Sequence, residues 1–110
     1  MTITAYVTTS TDPVVSGFVE AYRAMYNGED PNNCAGYAYD ATVTAINAIK
    51  GSNCESREAV IKWLQENLIG KEFKGVTGTI LLDEDRDRAF SSTMYIPLII
   101  QGGQFIEMTE

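Results

Sequence analysis

Hydrophobic and polar residues alternate along the chain, and the period of the alternation predicts the secondary structure. Apolar side chains occupy every second position from Ile3 to Val7, a pattern of β-forming residues that predicts a first strand. From Asp12 to Asn27 they recur at every third or fourth position, and Asp12-Pro13 provides an N-cap followed by a proline at the first helical position. This second stretch therefore predicts an amphipathic helix that ends at Asn27.

Two further helices follow in the pattern. The stretch Gly36–Lys50 carries small and branched apolar residues around most of its circumference, which is typical of a helix with neighbours on several sides. Gly51 provides its C-cap. Ser56 opens a third helix, which Gly70 closes and whose apolar residues lie on one face.

After residue 73 the pattern becomes typical of strands. Strands are predicted at Val76–Leu82 and Thr93–Gln101, and Pro97 favours an edge position or a bulge for the latter. Gly102-Gly103 predicts a two-residue turn into a last strand, Gln104–Met108. The predicted order is β-α-α-α-β-β-β, an α/β fold (α+β when isolated) in which residues 1–110 form a single domain.

The second predicted helix needs more cover than these elements provide. A chain of this size buries only about 60–65% of the surface that it exposes when unfolded. We therefore expect the chain to be part of a larger structure or one half of an oligomer.

Composition and charge exclude several classes of protein. Hydrophobic residues make up 45% and charged residues 21% of the 110 residues, as in soluble globular proteins. A formal charge of −7 argues against duplex DNA or an anionic membrane as a partner. The chain has no His, so it cannot by itself build a Ser-His-Asp triad, a Cys-His dyad or a His-based zinc site. Its first ten residues have no basic start and no long apolar run, so we expect no signal peptide.

Two groups of polar residues have alternative interpretations. Cys34 and Cys54 could be bridged only if residues 51–53 fold back along the intervening helix, because that helix is about 21 Å long; free thiols are favoured. Asp83–Arg88 begins with the acidic spacing of a calcium loop, but Arg88 and Met94 stand where such a loop needs Gly and Glu. A solvated β-turn is favoured, and no metal or cofactor is expected.

Asp40, near the start of the second predicted helix, is the main candidate for ligand chemistry. Its carboxylate either complements the helix dipole or anchors the ammonium group of a ligand beside Tyr37 and Tyr39. The six tyrosines and Trp63 either line a site for a small amphiphile or serve in packing.

Four segments occur in an order and spacing that one known family shares. They are Asp12-Pro13 with a helix ending in the turn Tyr26–Pro31; Gly36–Ala41, which contains Tyr39-Asp40-Ala41, with Ala45–Ile49; Ser56–Val60 with Leu64; and Phe73–Ile80, the acidic turn and Gly103–Ile106. Together they resemble the C-terminal third of the type I periplasmic solute-binding proteins, the leucine-type receptors of branched-chain amino acid ABC transporters.

This resemblance implies a partial lobe of a two-lobed fold and a non-enzymatic role. The parent protein would be periplasmic or extracytoplasmic, and it would close on a small, amino acid-like solute and deliver it to an ABC permease. By the match to the family's "Y-D-A" helix, Tyr39 is the first ligand-contact candidate, followed by Asp40 and then Tyr37. The missing lobe, or a second copy of the chain, would complete the structure.

A second function remains open from the sequence. The chain could be a self-standing acidic α/β interaction module that forms a homodimer and has no small-molecule ligand. An enzyme is less favoured than either, because without His its chemistry would depend on carboxylates, Tyr or Cys.

Overall fold

The computed structural model describes residues 2–108, with three helices between short strands. The elements are β1 (Thr2–Thr4), α1 (Pro13–Met25), α2 (Asn33–Gly51), α3 (Arg57–Asn67), β2 (Phe73–Gly75), β3 (Gly78–Ile80), a short 3₁₀ turn (Ser92–Met94), β4 (Ile96–Gln101) and β5 (Gln104–Glu107). The order confirms the predicted mixture of helices and strands and adds one strand.

Each helix begins at a side chain that caps its first turn. Asp12 accepts a hydrogen bond from the Val14 N–H at the start of α1, and Ser56 accepts one from the Ala59 N–H at the start of α3. Both caps are those that the sequence predicts. Helix α2 instead begins three residues earlier than predicted, because Asn32 caps it through the Ala35 N–H. Cys34 therefore lies in the first turn of α2.

The prediction of a single strand at Val76–Leu82 is wrong. Strands β2 and β3 form a tight antiparallel hairpin in which Gly75 faces Gly78, so that Val76 and Thr77 make the turn. Gly78 has a φ of +98°, which glycine adopts without steric cost. The turn carries none of the residue pairs that usually predict one, and its stabilising partner is Asp40 on α2.

Strands β1, β4 and β5 form a separate antiparallel sheet with β4 in the middle. The predicted turn at Gly102-Gly103 is confirmed, and both residues have the positive φ that a type I′ turn needs. The edge position favoured for Pro97 is wrong, since β4 is the central strand. Pro97 is tolerated there because its missing N–H faces the end of β5, where its carbonyl still accepts the Met108 N–H at 2.9 Å.

The core lies between α1, the start of α2 and the segment that follows β1. Its buried members are Ala5, Tyr6, Val15, Phe18, Val19 and Val76. The Tyr6 ring meets the Phe18 ring edge-on at 5.9 Å, and the Tyr6 hydroxyl donates to the Asn32 carbonyl at 2.5 Å. The segment after β1 is thereby attached to the residue that caps α2.

Much apolar surface lies outside this core. On α2 the outward stripe of Tyr39, Val43 and Ile46 is exposed, and on the sheet Ile100 and Phe105 face each other while 66% and 63% exposed. The accessible surface is 7706 Å², whereas a folded protein of this mass has roughly 6,000 Å². The radius of gyration is 16.0 Å, against about 13 Å for a compact domain of this length. The extra surface agrees with the partial fold that the sequence predicts.

Candidate functional site

Asp40 lies on α2 against the turn of the β2–β3 hairpin. Its Oδ1 accepts the Val76 N–H at 2.8 Å, and its Oδ2 accepts the Thr77 N–H at 2.9 Å and the Thr77 hydroxyl at 2.6 Å. The side chain is buried, with 8% of the residue exposed. A carboxylate has about four lone-pair sites, so three of them are occupied within the chain and one, on Oδ1, remains.

Thr77 connects this carboxylate to Arg88. The Arg88 Nη1 donates to the Thr77 hydroxyl at 2.8 Å, and Nη2 donates to the carbonyls of Thr77 and Thr79 at 3.0 and 3.2 Å. The Arg88 Nε is buried and has no hydrogen-bond partner in the described part of the chain. No carboxylate among residues 2–108 forms an ion pair with Arg88. Asp40, Thr77 and Arg88 therefore form a polar network inside an otherwise apolar region.

The network lies beside a pocket of about 420 Å³ between α2, α3 and the hairpin, here named the α2–hairpin pocket. Tyr37 and Asp40 both line it, as do Thr77, Arg86 and Arg88. Apolar side chains make most of its wall: Ala41, Ala45, Leu64, Ile69, Phe73, Ile80 and Leu82. A mostly apolar pocket with a few convergent polar groups is the usual form of a small-molecule site.

Tyr39 lies on the other side of α2. Residues two positions apart in a helix are separated by about 200° around its axis. The Tyr37 and Tyr39 side chains therefore leave α2 in nearly opposite directions. The Tyr39 ring packs at 4.8 Å from the Phe18 ring and remains 44% exposed. It borders a second hollow of about 520 Å³, whose wall includes Phe18, Tyr22 and Tyr26.

The structure thus brings together two of the three predicted site residues. Tyr37 and Asp40 share the α2–hairpin pocket, and Tyr39 belongs to a separate aromatic cluster. Sequence reasoning missed Thr77 and Arg88 as members of the site, because Thr77 lay in a predicted strand and Arg88 in an acidic turn expected to be solvated. The alternation of Arg and Asp at residues 86–88 was the one feature of the sequence that could have indicated a role for Arg88 in the site.

The acidic turn itself has the form of a self-contained loop. The Asp83 carboxylate accepts the backbone N–H groups of Asp85 and Asp87, both at 3.0 Å. Within residues 2–108, no group of three or more His, Cys, Asp or Glu side chains is arranged to hold a metal ion. Cys34 and Cys54 are exposed and unbridged, as favoured from the sequence. None of the helices in the described part of the chain is long and apolar enough to cross a membrane.

Solved structures of transport receptors share this fold. A leucine-binding protein from Thermotoga maritima is 25% identical, with a TM-score of 0.69, and the match covers 97% of this chain and 29% of that one. A protein described as a branched-chain amino acid ABC transporter from Rhodospirillum rubrum is 30% identical, with a TM-score of 0.74 over 96% of this chain and 29% of that one. An ABC transporter substrate-binding protein from Desulfitobacterium hafniense, solved in complex with Leu, has a TM-score of 0.70 at 20% identity over 94% and 29%.

The chain spans about 29% of the length of these structures. Neither a family model nor a curated protein sequence matches it. The chain has the fold of one part of the type I periplasmic binding proteins, which confirms the resemblance seen in the sequence. Within that class, the neighbours are substrate-binding proteins of leucine and branched-chain amino acid ABC transporters.

Proposed function

We propose that this chain is the C-terminal third of a solute-binding protein that serves an ABC transporter for amino acid-like solutes. The observation that carries the proposal is the fold match to amino acid receptors over nearly the whole chain, with a TM-score of up to 0.74. The parent protein would be extracytoplasmic, would act with a membrane permease and would perform no chemistry on its solute. All 110 residues would form a single domain of that protein.

Tyr39 is the proposed direct contact with the solute. Its ring is held by Phe18 on one side and is open on the other, so it can form part of an aromatic wall without moving. Asp40 would contribute the remaining lone pair of Oδ1 towards an ammonium group, and Tyr37 would contribute its half-exposed ring. Asp40 and Tyr37 face the α2–hairpin pocket and not the hollow beside Tyr39. Because a small solute could not fill both hollows, the contribution of Tyr39, the first-ranked contact, is the one to test first.

The exposed apolar surface supports the proposal that the chain is one part of a larger protein. The exposed residues lie on the outer stripe of α2 and on both faces of the β1–β4–β5 sheet, which are different sides of the molecule. One symmetric interface between two copies covers a single patch on each copy. The remainder of a receptor, which is more than twice as long as this chain, could cover several sides at once.

Calorimetric titration of the chain with leucine, isoleucine, valine and phenylalanine tests the proposal. We expect saturable heat with at least one of them, lost in Tyr39→Ala and kept in Tyr95→Ala, a tyrosine of similar exposure before β4. No heat with any member of the panel, from the chain alone or joined to the sequence encoded upstream of it, would contradict a solute-binding role. Light scattering of the same samples would test the homodimeric module: a stable dimer without amino acid binding would favour it.

A further inference from the structure

The α2–hairpin pocket contains two arginines, Arg86 and Arg88, that the amino acid receptor hypothesis does not use. We propose that it is a binding site for a small amphipathic carboxylate, with an aliphatic chain of about six carbons held among the apolar walls and the anionic group at Arg86 and Arg88. The carboxylate site does not include Tyr39, the first proposed solute contact, which lies on the other side of α2, but its lining includes the other two proposed solute contacts, Tyr37 and Asp40.

The walls of the pocket favour a hydrocarbon chain. Leu64 comes from α3, Phe73 and Ile80 come from the two strands of the hairpin, and Leu82 follows the hairpin. These side chains surround a volume of about 420 Å³, which lies within the roughly 300–1,000 Å³ range of small-molecule sites. Burying aliphatic carbon against them removes apolar surface from water on both partners.

The charges that line the pocket favour an anion over a cation. Among residues 2–108, Asp40 is the only carboxylate in the lining, and its three hydrogen bonds from Val76 and Thr77 already stabilise its negative charge. Arg86 and Arg88 add two positive charges, and neither forms an ion pair with a carboxylate among residues 2–108. The four acidic residues of the adjoining turn are not part of the lining. The pocket therefore carries a net charge of +1 within a chain whose charge is −7.

Arg86 is placed at the pocket by an unusual backbone conformation. Its φ is +70°, in the left-handed region that favours glycine, asparagine or aspartate. Its N–H closes the turn by donating to the Asp83 carbonyl at 2.9 Å. No hydrogen bond or ion pair within residues 2–108 occupies its guanidinium group, which is free to meet a carboxylate. Arg88 is already fixed on Thr77 and Thr79, so it supplies charge while Arg86 supplies free donors.

Three linear probes with six carbon atoms each and different head groups test the site: hexanoate, 1-hexanol and hexylammonium. Binding to the ¹⁵N-labelled full chain is followed by amide shifts in NMR. We expect saturable shifts at Leu64, Ile80 and Leu82 with hexanoate, an affinity for hexanol about fivefold weaker, and the weakest binding for hexylammonium. Absence of saturable shifts with hexanoate, equal affinities for the three probes, or shifts confined to the Tyr39 side of α2 would each overturn the proposal.

Two pairs of matched variants separate the head group from the chain. Arg86→Gln should weaken hexanoate binding about fivefold and leave hexanol binding unchanged. Arg57→Gln, an equal charge change at an exposed position of α3, should leave the binding of both probes unchanged. Ala45→Leu, which fills the pocket, should weaken both probes at least about tenfold; Ala38→Leu, on the Tyr39 side of α2, should not. Equal effects within either pair would contradict the assignment. Calorimetric titration of Arg86→Gln with the amino acid panel separates this proposal from the receptor proposal. The variant leaves Tyr39 intact, so its heat of amino acid binding should equal that of the wild type while its hexanoate binding is weakened.

Discussion

Thr77 donates two hydrogen bonds to one oxygen of Asp40, through its N–H at 2.9 Å and through its hydroxyl at 2.6 Å. Thr77 is completely buried, and Asp40 lies 37 residues before it in the sequence. With the Val76 N–H on the other carboxylate oxygen, this contact attaches the turn of the β2–β3 hairpin to the middle of α2. It is the main polar link between the helices and the hairpin.

Replacing Asp40 by Asn should destabilise the chain strongly. An amide presents one acceptor and two donors, so at least one buried N–H or hydroxyl of the turn would face another donor. We expect the free energy of unfolding to fall by about 2–4 kcal/mol, the cost of losing a buried charge-assisted hydrogen bond and leaving its partner unsatisfied. Urea unfolding followed by the fluorescence of Trp63 measures this loss.

The control for this substitution is Asp85→Asn in the exposed acidic turn, which removes the same charge. Its effect should stay within about 0.5 kcal/mol. Equal losses in the two variants would show that Asp40 contributes only its charge and not its hydrogen bonds.

Gly75 and Gly17 should respond to alanine in opposite directions. A Cβ at Gly75 would lie 2.6 Å from the Asp40 Oδ2, too close for any real contact, whereas a Cβ at Gly17 on α1 would meet no atom of the described residues within 4 Å. Gly75→Ala should therefore lower the melting temperature. Gly17→Ala should raise it, because alanine favours a helix interior by about 0.5–1 kcal/mol over glycine. Thermal unfolding monitored by circular dichroism compares the two variants, and a stabilising Gly75→Ala would contradict the close packing.

The helices could be predicted from sequence because their signals are local. Asp12 and Ser56 each cap a helix within three residues of their own position, so the sequence at the helix start contains both partners. The hairpin could not, because Val76 and Thr77 are ordinary strand residues and their turn depends on a carboxylate on another element. The position of Pro97 was missed for a similar reason: the strand that flanks it, β1, is 92 or more residues away in the chain.

The candidate site was only partly predictable. Tyr39 and Asp40 are neighbours in sequence, and the "Y-D-A" match groups them, but on a helix they leave in different directions. Asp40 meets the hairpin, and Tyr39 meets Phe18. Arg88 enters the site only because the hairpin folds back and exposes the Thr77 and Thr79 carbonyls to its guanidinium group. No periodicity in the sequence carries that information.

The turn between β4 and β5 should distinguish asparagine from valine at Gly102. Its φ of +57° is accessible to asparagine, and Asn-Gly is the preferred pair for a type I′ turn. Gly102→Asn should leave hairpin stability unchanged or slightly higher, whereas Gly102→Val should cost about 1–2 kcal/mol because a β-branched residue is strained in the left-handed region. Hydrogen exchange at Ile99 and Ile106, which face each other across the hairpin, measures the effect locally. Equal exchange in the two variants would contradict the turn type.

Tyr6 should make the chain sensitive to alkali. Burial, and to a smaller extent Tyr22, Asp30 and Asp40, raise the pKa of Tyr6 to about 12. In the unfolded chain the pKa of a tyrosine is about 10. Between these two values the unfolded state loses the proton first, so the free energy of unfolding falls as pH rises from about 10 to about 12. The contribution is fully present below pH 10, and its complete loss amounts to on the order of 2 kcal/mol.

Urea unfolding of the wild type, Tyr6→Phe and Tyr26→Phe at pH 8 to 12 tests this dependence. Tyr6→Phe should be less stable than the wild type at pH 8 by about 1 kcal/mol, since it lacks the hydrogen bond to the Asn32 carbonyl. It should then lose less stability than the wild type above pH 10, because it has no proton to release at that position. Tyr26→Phe, at an exposed tyrosine, should keep the wild-type slope. If Tyr6→Phe also keeps that slope, the alkaline sensitivity arises from other groups, and the Tyr6 hydroxyl is not held protonated by the fold.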